Sequence, residues 1–400
     1  MRKTLFCALL FSLLSPALAA DLTIVESVPA ETVYGSTLAA RPQAVWPALI
    51  SSAQRTLDLE QFYVAEQAGE ALTPVLDAVK AAAGRGVRVR LLVDSVMMKE
   101  TAKALPALKA AGVQARVIDF KKAGGGVQHS KFFVVDGRDS FVGSQNFDWR
   151  SLAHIHEVGV VIKSTRAASD LERVFEADWA FAGGEPARKA YGGKVRQAVP
   201  ASSPEKGTLN GGEVSYHLAF SPAAALPRGM DEELDQLLRL IAGAKKTLHG
   251  QVMTYSLQEH GSKRWTDLDK ALRKAAARGV KVELVFADWA MGGSSDRDIK
   301  ALAKTDNISI KISSLPEYSK GFVPYARVEH CKYLVADGKA SYITTSNWGP
   351  GYFLTTRGVG VFIEGAPAAA VLEDIFSRTW TGPYVQPVDP LKSYQPVKRG

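Results

Sequence analysis

Apolar positions along the chain alternate between helical and extended spacing. Leu234, Leu237, Leu238 and Ile241 fall on one helical face, and Asp231 is placed to cap that helix. Residues 252–255 then read as a short strand. A helix is expected over 266–277, closing at Arg278-Gly279, where glycine can take the left-handed conformation. Residues 280–286 read as a strand. The same order occurs earlier, with a helix over 75–83, Gly86, and a strand over 87–93. Alternating helices and strands of this kind predict a layered α/β architecture.

The two stretches are copies. Ala53-Gln54-Arg55-Thr56-Leu57 matches Ala244-Lys245-Lys246-Thr247-Leu248, and the Gly86 segment matches the Gly279 segment. The segment from His129 to Asn146 matches that from His330 to Asn347. The offset between matched segments grows only slowly along the chain, which means two homologous halves with small insertions rather than a short-period solenoid. The expected organisation is a first domain over 21–185, a connection over 186–215 that lacks hydrophobic period, a second domain over 216–388, and an irregular tail over 389–400.

The chain has 400 residues, 46% hydrophobic and 22% charged, which excludes long disorder and collagen-like structure. A net charge of +8 favours anionic partners, weakly for a surface of this size. Residues 1–20 combine a basic start, an apolar run from Leu5 to Leu14, and small residues around Ala17-Leu18-Ala19. They read as a cleavable signal peptide, so a periplasmic or secreted location is expected. No later segment offers about 18 consecutive apolar residues, so no integral membrane span is expected in the mature chain. The two cysteines are Cys7, inside the signal, and Cys331. One remaining thiol forms neither an internal disulfide nor a cysteine zinc site.

The candidate chemistry lies in the matched segments. His129-Ser130-Lys131, four residues, then Asp136 recurs as His330-Cys331-Lys332, four residues, then Asp337. Asn146 and Asn347 follow at the same distance. In extended chain, residues two apart share a face, so His129 pairs with Lys131 and His330 with Lys332. Ser130 and Cys331 then point the other way, which argues against Cys331 as a nucleophile. An ammonium beside an imidazole favours the neutral, nucleophilic ring. Two such couples related by a pseudo-twofold would grip one phosphate and set an imidazole on either side of phosphorus. One histidine attacks and the other protonates the leaving oxygen. The lysines, with Asn146 and Asn347 as neutral donors, stabilise the added charge of the transition state.

The duplicated His-x-Lys-x4-Asp followed by Gly143-Ser144-Gln145-Asn146 resembles the signature of the phospholipase D superfamily, over both halves of the chain. The stretch from Gly143 to Leu152, Pro324-Tyr325-Ala326-Arg327-Val328, and Thr345-Ser346-Asn347-Trp348 are similar to the phospholipase D-like exonuclease branch. The resemblance implies two α/β/α sandwich domains with mixed sheets and one active site at their interface. It implies catalysis through a covalent phosphohistidine without a metal or other cofactor. Carried over, His129 is the nucleophile and His330 the general acid, later base. Lys131 and Lys332 hold phosphate, while Ser144, Asn146, Thr345 and Asn347 donate to it. Asp136 and Asp337 fix the turn at the strand end. The family also uses a Glu to orient a catalytic imidazole, and Glu157 fits that role. Its counterpart in the second half is Gly358, an asymmetry that agrees with His129 as nucleophile. Thr344 stands where the pattern has Gly, which puts the role of Thr345 in question.

The expected partner is a phosphodiester, either a phospholipid head group or the 5′ end of a single-stranded nucleic acid. Because one chain carries both motifs, no oligomer is required. Two other readings stay open: a phosphatidyl transferase of the cardiolipin synthase type, and a phosphate- or nucleic-acid-binding protein without turnover. His154, His156, His217, His249 and His260 have no metal-ligand spacing. Trp149 and Trp348 are assigned to packing or to stacking on substrate, and Arg150 and Arg327 to the entrance or to plain surface charge.

Overall fold

Alternation of side chains along two sets of strands builds two mixed sheets in the computed structural model, which describes residues 21–259 and 263–400. The expected signal peptide and His260 lie outside these residues. The first sheet runs in the order Leu22–Ser27, Glu157–Lys163, Asp139–Gly143, Phe132–Val135, Thr56–Gln61, Arg88–Asp94 and Gln114–Ile118. The second repeats that order with Gly212–Ser221, Gly358–Glu364, Ala340–Thr344, Lys332–Ala336, Thr247–Val252, Lys281–Ala287 and Ile308–Ser313. It adds an outer strand at each end, Glu205–Leu209 and Val385–Pro387. In each sheet the helix-connected strands pair in parallel and the hairpin strands antiparallel, as connection length dictates.

The strands that follow the two motifs are apolar on both faces because helices cover both. Phe132 and Val134 join one core, while Phe133 and Val135 join another. Tyr333 and Val335 enter the same core as Phe132, and Leu334 and Ala336 enter a third. The shared core contains the helices Thr165–Ala182 and Ala366–Trp380, so the halves are fused by apolar burial across their seam. Outer helices close the far faces: Pro42–Ser51 and Thr73–Gly84 on one half, Glu233–Gly243 and Asp267–Ala277 on the other. This is a two-domain α/β fold built from a duplicated sandwich.

Three local readings shift. The helix Glu233–Gly243 is not capped by Asp231, whose side chain instead accepts from the Ala201 amide at 2.6 Å. The strand expected at 252–255 is Thr247–Val252, because pairing with Lys281–Ala287 and Lys332–Ala336 sets its register. The connection over 186–215 holds the short helix Ala187–Ala190, the strand Glu205–Leu209 and the start of Gly212–Ser221. Its alternation is too short to read without its partner strand.

Asp136 and Asp337 close the motif strands in the left-handed region, with φ of 54° and 55°. Asp136 accepts from the amides of Gln54, Arg55 and Thr56, and Asp337 from those of Lys245, Lys246 and Thr247, all at 2.6–2.9 Å. Partial burial works against ionisation, but these donors hold both carboxyls below the ordinary value. Each aspartate thereby ties the motif strand to the start of its neighbour.

A buried ion pair also crosses the seam. Arg357 meets both oxygens of Asp178 at 2.7 and 2.8 Å and donates to the carbonyls of Ser221 and Ala225. Removing one partner strands a buried charge. Asp178→Ala should lower unfolding free energy in urea by about 3–5 kcal/mol, and Asp178→Leu combined with Arg357→Met should recover much of that loss.

Candidate active site

Both motif histidines sit at the seam, each on a single parallel bridge between the halves. The Gln128–Arg357 bridge carries His129, whose amide donates to the Arg357 carbonyl at 3.0 Å. The His156–Glu329 bridge carries His330, whose amide donates to the His156 carbonyl at 2.9 Å. The duplication therefore places the two imidazoles by equivalent main-chain contacts, each made to the opposite half.

Lys131 stands just before its strand and Lys332 starts its own; both are wholly buried, each donating its ammonium to the carbonyl of its own motif histidine. His129 and His330 retain 7% and 9% exposure as residues, so the site meets solvent at the histidines rather than the lysines. Burial pushes Lys131 well below the ordinary lysine value, and the neighbouring Lys332 lowers it further. Lys332 is pushed down to about 7, also by burial, with Glu157 pulling the other way. Burial and the two ammoniums hold both imidazoles well below 6.5, so both rings are neutral at pH 7.

The two rings differ in what holds Nδ1. His330 meets the Glu157 carboxylate, and His129 meets the main-chain oxygen of Thr345 at 3.0 Å. Glu157 thus orients the histidine of the other half, not His129 as the asymmetry of the sequence suggested. The bridge pairs His156 with Glu329, so the next residue along, Glu157, falls beside His330. Burial pushes the Glu157 carboxyl well above the usual range, against the pull of both lysines. The second half has no room for such a residue. A Cβ at Gly358 would lie 2.3–2.9 Å from Ser346, Ser221 and the Glu233 carboxylate. Buried Glu233 accepts from the hydroxyls of Tyr342, Thr344, Ser346 and Ser221, and this network accounts for Thr344 in place of glycine.

Ser144 and Thr345, expected as phosphate donors, also bond to the main chain. Both are fully buried, and their hydroxyls accept from the amides of Val158 and Val359 at 3.2 and 3.1 Å. These bonds tie the chain just past one strand to the next, and Thr345 also reaches His129 through its carbonyl. Asn146 and Asn347 are almost fully buried, and the side-chain oxygen of each has no hydrogen-bond partner among the described residues. The seam also holds two rings that no motif announced. Phe62 lies 4.9 Å from the His129 ring and 5.0 Å from the Lys131 ammonium, and Tyr352 lies 5.2 Å from His129 on another side.

The other candidates are occupied by contacts of their own. Cys331 is in the shared core, and Trp348 is buried in the core of the second half. Arg150 is held by Asp148 and the Pro324 carbonyl, and Arg327 by the carbonyls of Pro316 and Ala30. His156, Glu329 and Cys331 bring possible metal-binding atoms within 4.8 Å of one another, but both nitrogens of His156 already meet carboxylates. No helix among the described residues is long and apolar enough to cross a membrane.

Comparison with known proteins agrees with this arrangement. The family described as "Cardiolipin synthase, PLD-like domain" matches residues 47–179 and 237–380, one segment in each half. The 5'-3' exonuclease PLD3 of Bos taurus is 32% identical over 401 residues, covering 92% of this chain and 81% of its own. The 5'-3' exonuclease PLD4 of Homo sapiens is 30% identical over 409 residues, covering 92% and 79%. Among solved structures, the phosphatidylserine synthase of Haemophilus influenzae Rd KW20 superposes with a TM-score of 0.61 at 12% identity, covering 86% and 85% of the two chains. With two His-Lys couples meeting at one seam and relatives of this similarity along both halves, the chain belongs to the phospholipase D superfamily of phosphodiesterases.

Proposed function

We propose that the protein hydrolyses single-stranded nucleic acid from its 5′ end, through a phosphohistidine and without a metal ion. The observation that carries the chemistry is the meeting of two buried ammoniums and two neutral imidazoles, with Glu157 as the nearby anion. The set holds two lysines and two imidazoles against one carboxyl, so an entering phosphodiester monoanion supplies the charge that stabilises the ammoniums burial disfavours. The nucleic-acid reading is supported by similarity to 5'-3' exonucleases over 92% of the chain, and by the two rings beside His129, which offer stacking surfaces to a base.

In the proposed cycle, Nε2 of His129 attacks phosphorus while Nδ1–H is held by the Thr345 carbonyl. A P–N bond forms, the P–O ester bond opposite it breaks, and His330, which takes up a proton at Nε2 as the phosphodiester anion enters, gives that proton to the leaving oxygen. Glu157 suits His330 to the acid role, because a carboxylate on Nδ1 raises the affinity of that ring for the proton it must deliver. Neutral His330 then takes a proton from water, which attacks phosphorus, breaks the P–N bond and releases a phosphomonoester. Lys131 and Lys332, fixed before substrate arrives, stabilise the added charge on the phosphoryl oxygens. The Asn146 and Asn347 amides are assigned as further donors to the same oxygens. The lysines take the place a metal ion would have in neutralising phosphate.

The substrate is tested by incubating the protein, with excess EDTA, with 5′-hydroxyl and 5′-phosphate single-stranded DNA and with phosphatidylcholine vesicles. Cleavage of DNA from the 5′ end at an undiminished rate is expected; head-group release from vesicles alone would overturn the nucleic-acid reading, and loss of activity on chelation would overturn metal independence. The roles are tested by variants. His129→Ala should lower kcat by at least about 10⁴-fold. His330→Asn should leave a labelled phosphoprotein that denaturing gels retain, and a trapped phosphoprotein in His129→Asn instead would exchange the two roles. The pH dependence follows from the charges. Because the His129 pKa is depressed, the acid limb of kcat/KM should lie below pH 6.5. Because Lys332 sits near 7, KM should rise as pH increases past that value and its charge is lost.

A further inference from the structure

The residue before the Glu157/Gly358 position is a buried cation-forming group in both halves. At the bridge that carries His129 it is Arg357, permanently charged and bound to Asp178. At the bridge that carries His330 it is His156, whose Nδ1 lies 2.7 Å from Glu329 and whose Nε2 lies 3.1 Å from Glu26. Neighbouring residues of extended chain face opposite ways. His156 and Glu329 therefore lie behind the bridge, and Glu157 and His330 lie in front. One pair of segments carries two imidazole–carboxylate contacts of opposite sense, a single residue apart.

The rear contact requires a cation. The groups facing His156 are Glu26 and Tyr34 from the first half, and Glu329 and Cys331 from the second. Arg41 answers Glu26 at 2.8 Å, with the Ser36 amide on the same oxygen at 2.7 Å. Besides His156, Glu329 meets the Cys331 amide at 3.2 Å and the Cys331 thiol, with no cation of its own among the described residues. Burial pushes the Tyr34 phenol up to about 12 and the Cys331 thiol well above its ordinary value, so neither ionises near neutrality. An imidazolium supplies an N–H to each carboxylate and balances Glu329. A neutral ring has one N–H for two carboxylates and turns its lone pair toward the other, which is costly without water.

We propose that His156 is a positioning residue for the phosphodiesterase reaction: an imidazolium strut that ties the two halves behind the bridge and keeps Glu157 against Nδ1 of His330. The proposal rests on the reading of the seam as the reacting site. It also makes the two catalytic histidines unequal in a further way. The Arg357 clamp behind His129 is indifferent to pH, whereas the His156 clamp behind His330 is not. Burial opposes the charge on His156, whereas the Cys331 sulfur and the Glu329 and Glu26 carboxylates around it act the other way, raising its pKa well above 6.5. A group whose folded pKa is raised stabilises the fold fully below its unfolded value and loses that contribution as pH rises through the folded value. The strut thus holds through neutrality and fails on the alkaline side.

The test uses the full chain labelled with ¹⁵N-histidine and a 5′-labelled single-stranded DNA. In the wild type, the ring resonances that disappear in His156→Gln should show an imidazolium at pH 7. They should titrate on the alkaline side, with the His330 resonances shifting in step and kcat falling over the same range. His156→Gln should lower kcat at pH 7 by about 10- to 100-fold, moving KM less, because the displaced group orients a reacting ring rather than binding substrate. Its kcat should lack that alkaline decline, and His156→Lys should restore a part of the lost rate that persists into alkaline solution. A neutral His156 at pH 7, a His330 that ignores its titration, or a His156→Gln profile matching the wild type would overturn the proposal. Should His156→Gln not fold, the same ring resonances identified through His156→Lys decide the question. Should the wild type cleave no phosphodiester, the reading of the site fails instead, and the coupled titration of His156 and His330 remains readable.

Discussion

Two lysine ammoniums fully buried at one seam repel each other and lose their water, and the structure is organised around making that tolerable. Each donates to the carbonyl of the histidine two residues earlier, a contact that extended chain supplies without added side chains. Glu157 brings the compensating carboxylate, itself strained toward protonation by burial. What the set lacks is an anion in front of the imidazoles. A site left short of negative charge in a low dielectric draws a phosphate strongly and needs little reorganisation once it arrives.

Positioning such a set to fractions of an ångström demands rigid support, and the support comes from the duplication. Asp136 and Asp337 pin the motif strands at one end, and the bridges to Arg357 and His156 pin them at the other. The shared core of Phe132, Val134, Tyr333 and Val335 fuses the halves between these anchors. Ser144 and Thr345 add to this support, because a hydroxyl just past one strand that accepts an amide of the next holds the two together.

Symmetry of backbone does not extend to side chains. In the second half, the Glu233 hydroxyl network fills the space where a counterpart of Glu157 would stand. His129 is therefore left to a neutral carbonyl, while His330 has a carboxylate. Two imidazoles with equivalent main-chain settings thus meet different partners at Nδ1.

The sequence by itself determined the duplication, the layered α/β class, and the pairing of His129 with Lys131 and His330 with Lys332. These follow from repeat spacing and from the alternation of extended chain, which are local properties. It also pointed to the turn-closing place of Asp136 and Asp337, since Asp-Gly at a strand end has few other uses. Only the tertiary structure decided which histidine receives Glu157, because crossing the seam exchanges partners between halves and no spacing within one half records that. Likewise it decided that Ser144 and Thr345 face neighbouring strands, that Phe62 and Tyr352 flank His129, and that His156 lies between two carboxylates. Each of those contacts joins residues far apart in the chain, so it exists only once sheet register and the packing of the two halves have been set.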